Sequence, residues 1–276
     1  MNQLLTDANG LEIDFRCEDT EEGETLLFLP GSYANTSAWK GISKWLKKPY
    51  KRVFTSLRGY GYTMESRSVD DFKIDHQLEI IRSISKKIHT PFHIIGHSMG
   101  GLVGFAAIFS GEFPIKSIVS FEANPPWVLD KDKHSTTLTD TINIAKKFER
   151  AVNENDADAA NIIIDFYGGK GTFSSFPEKV KEFCRRTAHV NLIDWLPIIR
   201  SEPAFFEKNL FKKSLIGMPV KLVIGEEANS LVKNINSELA IMFKKHSTLK
   251  IKGAGHFLIS THPRECADAI DQFITP

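Results

Sequence analysis

The residues Gly96-His97-Ser98-Met99-Gly100-Gly101 set a serine among glycines, between the apolar runs 91–95 and 102–108. Small neighbours permit a tight turn from strand to helix, and such a turn lifts the hydroxyl clear of the strand end. The helix that follows directs its first N–H groups at any anion formed beside that hydroxyl. This is an arrangement for nucleophilic attack on a carbonyl. The plainer reading is a small-residue turn whose serine only caps a helix.

A serine hydroxyl is a weak nucleophile at neutral pH unless a base takes its proton, and histidine titrates in the right range. Nine histidines are available. His97 adjoins the serine, but neighbours on so sharp a turn point apart. His93 lies in an apolar run and reads as a buried, satisfied side chain. His76, His89, His134, His189 and His246 fall in helical or polar stretches and read as surface or cap residues. His256 stands apart, in the glycine-bracketed stretch Lys252-Gly253-Ala254-Gly255-His256-Phe257 after the last strand-like run. Open α/β sheets place reacting groups in such loops, so His256 is the candidate general base.

These side chains need a scaffold, and the hydrophobic pattern supplies one. Short apolar runs at Leu11–Cys17, Thr25–Leu29, Arg52–Leu57, Phe92–Ile95, Ser117–Phe121, Val220–Ile224 and Leu249–Lys252 read as strands. Helical periodicity occupies Ser37–Leu46, Asp75–Ile88, Gly101–Ser110 and Val232–Phe243. Several strands are apolar throughout, as strands covered on both faces are. The alternation predicts an α/β fold with a mostly parallel central sheet flanked by helices. It breaks between about Pro125 and Gly217, where helices are expected at Thr139–Asn153, Ala157–Phe166, Pro177–Thr187 and Val190–Ile199. This stretch carries Phe148, Phe166, Tyr167, Phe173, Phe176, Phe183, Trp195, Phe205 and Phe206. The expected organisation is a core of 1–124 and 216–276 with a helical cap, 125–215, inserted into it.

The chain resembles the α/β-hydrolase superfamily over nearly its whole length, in its Gly-x-Ser-x-Gly turn and in its Ser98-before-His256 order. Leu29-Pro30-Gly31-Ser32-Tyr33 resembles the oxyanion loop after the third strand, with proline in place of the common histidine. The resemblance implies that the Ser32 and Met99 N–H groups form an oxyanion hole, Tyr33 being the alternative if the loop is read one residue later. Arg58-Gly59-Tyr60-Gly61-Tyr62-Thr63 is similar to a turn that is mainly structural in the family. The triad acid usually follows the seventh strand, three residues after its final glycine. Here that glycine is Gly225 and the third residue is Ala228.

Three carboxylates can replace the missing acid. Glu226 and Glu227 adjoin the vacant place. Glu122 follows the sixth strand in Ile118-Val119-Ser120-Phe121-Glu122-Ala123-Asn124, where a carboxylate in an apolar run needs a partner. Some branches of the superfamily carry the acid after that strand, so Glu122 is the first choice and Glu226 and Glu227 the alternatives.

The remaining composition narrows the class. Lys and Arg number 35 against 34 Asp and Glu, a balance that argues against nucleic acid as a partner. The three cysteines, Cys17, Cys184 and Cys266, form neither a metal-ligand spacing nor a disulfide framework, so a reducing cytoplasm is expected. The first residues lack a signal-peptide pattern, and no apolar run approaches membrane-spanning length. The expectation is a cytoplasmic serine hydrolase with no metal or organic cofactor and no membrane partner. Its substrate would be the ester, lactone or related acyl bond of a small, largely apolar molecule. A carbon–carbon bond hydrolase, a lyase, a cofactor-free oxygenase or a slow small-molecule receptor would fit the same fold.

Overall fold

The structure, a computed structural model, describes residues 3–18, 23–200 and 217–274. Its sheet contains β1 (Gln3–Thr6), β2 (Glu12–Glu18), β3 (Glu24–Leu29), β4 (Tyr50–Thr55), β5 (Phe92–His97), β6 (Ile115–Phe121), β7 (Val220–Gly225) and β8 (His246–Ile251). The spatial order is β1-β2-β4-β3-β5-β6-β7-β8. β1 pairs antiparallel with β2, and β2 with β4; every other pairing is parallel. The helices are α1 (Lys40–Ser43), α2 (Asp75–Ile88), α3 (Met99–Ser110), α4 (Ser135–Asn153), α5 (Ala160–Gly168), α6 (Thr172–Ser175), α7 (Glu178–Arg186), α8 (Ala188–Ile199), α9 (Ser230–Met242), α10 (Leu258–Thr261) and α11 (Pro263–Phe273). Among the described residues, no helix is long and apolar enough to cross a membrane.

The apolar strands divide their side chains between two cores. Leu27 and Leu29 of β3, Ile94 of β5, Ile118 of β6 and Leu222 of β7 pack with Leu78 and Ile81 of α2, Val103 of α3 and Val232 of α9. Their neighbours Leu26, Phe28, Ile95, Val119, Phe121 and Val223 face the other way, onto Trp39, Ile42 of α1 and Cys266 and Ile270 of α11. Alternate residues of an extended chain point to opposite faces, so a strand that is apolar at every position requires helices on both sides. Because β3 through β8 run parallel, their C-terminal ends share one edge, and Ser32, Ser98, Glu122 and His256 all emerge there.

The structure redraws some expected elements. The helix expected over Ser37–Leu46 is a 3-10 turn, Thr36–Trp39, followed by the single turn α1. Gly41 in its middle weakens the helix and lies so close to Pro263 that a Cβ there would meet the ring at 3.1 Å. β1 and α11 were not among the expected elements. His134, read as a surface or cap residue, lies within 125–215 and is buried, bonding through Nε2 to Glu238 Oε1 at 2.8 Å. His93 is buried as expected, with Nδ1 2.6 Å from Ser117 Oγ and Nε2 3.2 Å from Glu24 Oε2. Arg58, in the turn read as structural, is buried and paired with Asp7.

Between β6 and β7 the chain runs through α4–α8, and side chains of α5, α7 and α8 border the same cavity as Ser98 and His256. Phe205 and Phe206 lie outside the described residues.

One contact seats the start of α3 beneath the loop that follows β3. A Cβ added to Gly100 would lie 2.1 Å from the Leu29 carbonyl oxygen and 2.5 Å from that of Pro30. Both are backbone atoms, one at the end of the central strand β3 and one in the loop after it, and cannot move aside. Gly100→Ala is therefore expected to destabilise the fold by about 2–3 kcal/mol, read as a lower urea midpoint with unchanged slope.

Candidate active site

Ser98 occupies the turn between β5 and α3 with φ 51 and ψ −120, a conformation outside the helical and extended regions. Such backbone costs about 1–3 kcal/mol in a non-glycine residue and persists only where its surroundings enforce it. Here the Ser98 N–H donates to the Phe121 carbonyl at 3.0 Å. A Cβ on Gly96 would lie 2.7 Å from Gly101 Cα, so the turn closes only around glycine.

Three side chains from separate strand ends meet in one chain of hydrogen bonds. Ser98 Oγ lies 2.9 Å from His256 Nε2, and His256 Nδ1 lies 2.8 Å from Glu122 Oε2. A carboxylate only accepts, so Nδ1 carries the imidazole proton and Nε2 is left to accept from the serine hydroxyl. Glu122 Oε1 accepts the Gly225 N–H at 2.7 Å, which ties the acid to the end of β7. Glu122 is completely buried, and Ser98 and His256 are nearly so. Glu226 and Glu227 do not join this chain. Glu226 Oε2 accepts the Gly253 N–H at 3.0 Å, and the Glu227 side chain is exposed.

His97 takes a part that its position in the sequence did not suggest. Its Nε2 lies 2.9 Å from the His256 carbonyl oxygen, which can only accept, so this nitrogen is the donor. Burial pushes the His97 imidazole down to about 3, with the nearby His256 as the second cause. It stays neutral at ordinary pH and holds the backbone of His256 without adding charge. Tyr167, from α5, stacks on the His256 ring at 4.3 Å between centroids and 19° between planes. The Tyr167 hydroxyl accepts from Asn124 Nδ2 at 2.8 Å, so the loop that carries Glu122 also fixes the stacked ring.

The loop after β3 stands against the serine. A Cβ on Gly31 would come within 3.1 Å of Ser98 Cβ. Among the described residues, nothing accepts the Ser32 N–H, and the Met99 N–H, in the first turn of α3, has no acceptor within its helix. Ser32, Tyr33, Ser98, Met99 and His256 all border one cavity of about 670 Å³. Its walls are mostly apolar, with Leu102, Ile163, Tyr167, Trp195, Ile198 and Leu231 among them. Among the described residues, no group of three His, Cys, Asp or Glu side chains could hold a metal ion.

Eight strands in this order, with a serine on the turn after β5 and a histidine after β8, define an α/β-hydrolase architecture. A family model described as the alpha/beta hydrolase family matches residues 26–269, and the chain belongs to that family. The chain is similar to the human monoacylglycerol lipase ABHD6, 33% identical over 96 residues; that match spans 33% of this chain and 27% of the relative's own length. Among solved structures it is similar to an esterase from Thermogutta terrifontis, at 19% identity and TM-score 0.69, covering 99% of this chain and 97% of that one. An epoxide hydrolase from Bacillus megaterium superposes at TM-score 0.74 and 16% identity, covering 98% and 99%.

The buried His97 makes stability depend on pH with a definite sign. Between about 3 and its ordinary value of 6.5, the unfolded chain binds a proton that the folded chain refuses, so stability falls as pH falls. The contribution is at most about 1.4 kcal/mol per pH unit. His97→Gln, which keeps a donor for the His256 carbonyl, is expected to flatten the fall in melting temperature between about pH 6.5 and pH 4. Identical slopes for the two proteins would contradict this origin.

Proposed function

We propose that the protein is a serine hydrolase that cleaves a carboxylic ester, lactone or related acyl bond of a small, largely apolar molecule through an acyl-enzyme intermediate. One observation carries the reading: Ser98, His256 and Glu122 form an unbroken chain of hydrogen bonds, 2.9 and 2.8 Å long, of which Ser98 and His256 border a mostly apolar cavity. In this reading α4–α8 belong to a cap, 125–215, inserted into a core of 1–124 and 216–276.

The steps follow from the geometry. Ser98 Oγ attacks the carbonyl carbon while His256 Nε2 takes the hydroxyl proton, and the carbonyl π electrons move onto oxygen. The buried Glu122 carboxylate stabilises the imidazolium that results. The oxyanion meets the N–H groups of Ser32 and Met99, each of which could lower the barrier by on the order of 3 kcal/mol in a dry site. Collapse of the intermediate breaks the bond to the leaving group, which takes the proton from His256. Water, deprotonated by His256, then attacks the acyl carbon and releases the acid and the free serine. The apolar walls favour the hydrocarbon part of the substrate and keep bulk water from the charges that form. The names of the human lipase and the thermophilic esterase support an ester as the bond cleaved.

Ser98→Ala is expected to lower kcat on a short-chain aryl ester about a thousandfold or more, with an unchanged circular dichroism spectrum. Retained turnover would refute the reading. Glu122→Gln is expected to lower kcat about a hundredfold to ten-thousandfold, while Glu226→Gln and Glu227→Gln stay within about twofold of the parent. A large loss in either of the latter would move the acid to that residue.

A further inference from the structure

Asp194 is the only acidic residue of α8, whose sequence is otherwise largely apolar. Its carboxylate is 3% exposed, and an acid buried so deeply requires partners. It has four. Asp194 Oδ2 accepts from Ser32 Oγ at 2.7 Å, Tyr60 OH at 2.8 Å and Asn191 Nδ2 at 3.2 Å. Asp194 Oδ1 accepts from Arg67 Nη1 at 2.6 Å. All but Asn191 lie on the sheet side of the cavity, so a residue of α8 is held almost wholly by the core.

The partner that matters for chemistry is Ser32. Its loop, 30–34, has two side chains able to hydrogen-bond, Ser32 and Tyr33, and the buried Tyr33 hydroxyl has no partner. Among the described residues, the Ser32–Asp194 bond is thus the side-chain tether of this loop. The next residue, Tyr33, has φ 58, so the backbone is held in a left-handed conformation next to the N–H assigned to the oxyanion. A negative charge near a developing oxyanion would oppose it. Arg67, which Asp194 shares with Glu65, counters part of that charge.

We propose that Asp194 is a positioning residue that fixes the oxyanion loop through the Ser32 hydroxyl, so that the oxyanion site is complete only when α8 is docked on the core. The proposal rests on the serine-hydrolase reading. It makes α8 part of the catalytic apparatus and not only a wall of the cavity. Asp194 acts through Ser32, by setting where the Ser32 N–H points.

The test compares Ser32→Ala, Asp194→Asn and the double variant in the full chain, at a temperature below all three melting midpoints. Two readouts are taken: kcat and KM on a short-chain aryl ester, and the affinities of a matched pair of ketones. A trifluoromethyl ketone forms a tetrahedral hemiketal with Ser98 and so occupies the oxyanion site, whereas its methyl ketone counterpart binds without that adduct. Each single variant is expected to lower kcat about tenfold and to weaken the trifluoromethyl ketone by the same factor. KM and methyl ketone affinity should stay within about twofold, and the double variant should be no worse than the weaker single one. Ser32→Ala leaves the Asp194–Arg67 pair intact, so it decides the matter if Asp194→Asn does not fold. Lower melting temperatures with kcat and hemiketal affinity unchanged would overturn the positioning role. If the parent neither turns over the ester nor forms the hemiketal, it is the serine-hydrolase reading that fails.

Discussion

The Glu122 carboxylate, with no exposed surface at the end of β6, accepts one hydrogen bond from the Gly225 N–H and another from His256 Nδ1. A buried charge without partners would cost several kcal/mol, and these two bonds are what make the burial tolerable. They also constrain the fold, because one partner comes from β7 and the other from the loop after β8. The sheet must therefore bring three chain segments into register for the charge to be satisfied. Glu122 itself has φ 48, a left-handed backbone that turns its side chain across β7. The Glu122 N–H is fixed by the Val223 carbonyl at 3.0 Å.

Close approach of backbone to backbone follows from this demand. A Cβ on Gly225 would sit 2.3 Å from the Ala254 carbonyl oxygen, which places the histidine loop directly on the end of β7. Gly100 does the same for α3 and the loop after β3. His97 then holds the His256 backbone, and Tyr167 covers the ring. The imidazole is thus restrained on its acid side, its backbone and one face, while Nε2 stays directed at Ser98. In the proposed mechanism His256 receives and returns a proton within one turnover, and such preorganisation leaves little to move during reaction.

Much of this is legible in the chain. The alternation of apolar runs and helical periods outside 125–217 prescribes the mostly parallel sheet, and α2 begins and ends at Asp75 and Ile88 as the periodicity indicates. The glycines around Ser98 and His256 mark tight turns at strand ends. Among the elements outside the expected set, α11 is a full helix of eleven residues that opens on Pro263, whereas others are marginal. β1 has four residues at an edge, and the stretch before β4 carries Gly41 in the middle of an otherwise helical pattern. Non-local partnership is harder to read. Glu122 attracts notice because it ends an apolar strand, and Asp194 meets the same physical criterion within an apolar helix. Nothing near Asp194, however, points to Ser32, 162 residues away. His97 likewise looks idle beside Ser98 until the fold brings the His256 carbonyl to its Nε2.

In the proposed mechanism Ser98 forms a covalent bond to the acyl group of its substrate. The direct measurement is intact and peptide-mapped mass spectrometry after rapid acid quench of the protein with an activated aryl ester. A mass increase equal to the acyl group is expected on the peptide carrying Ser98, decaying at the rate of turnover. Turnover with no adduct on that peptide, or an adduct on another residue whose decay matches turnover, would contradict it.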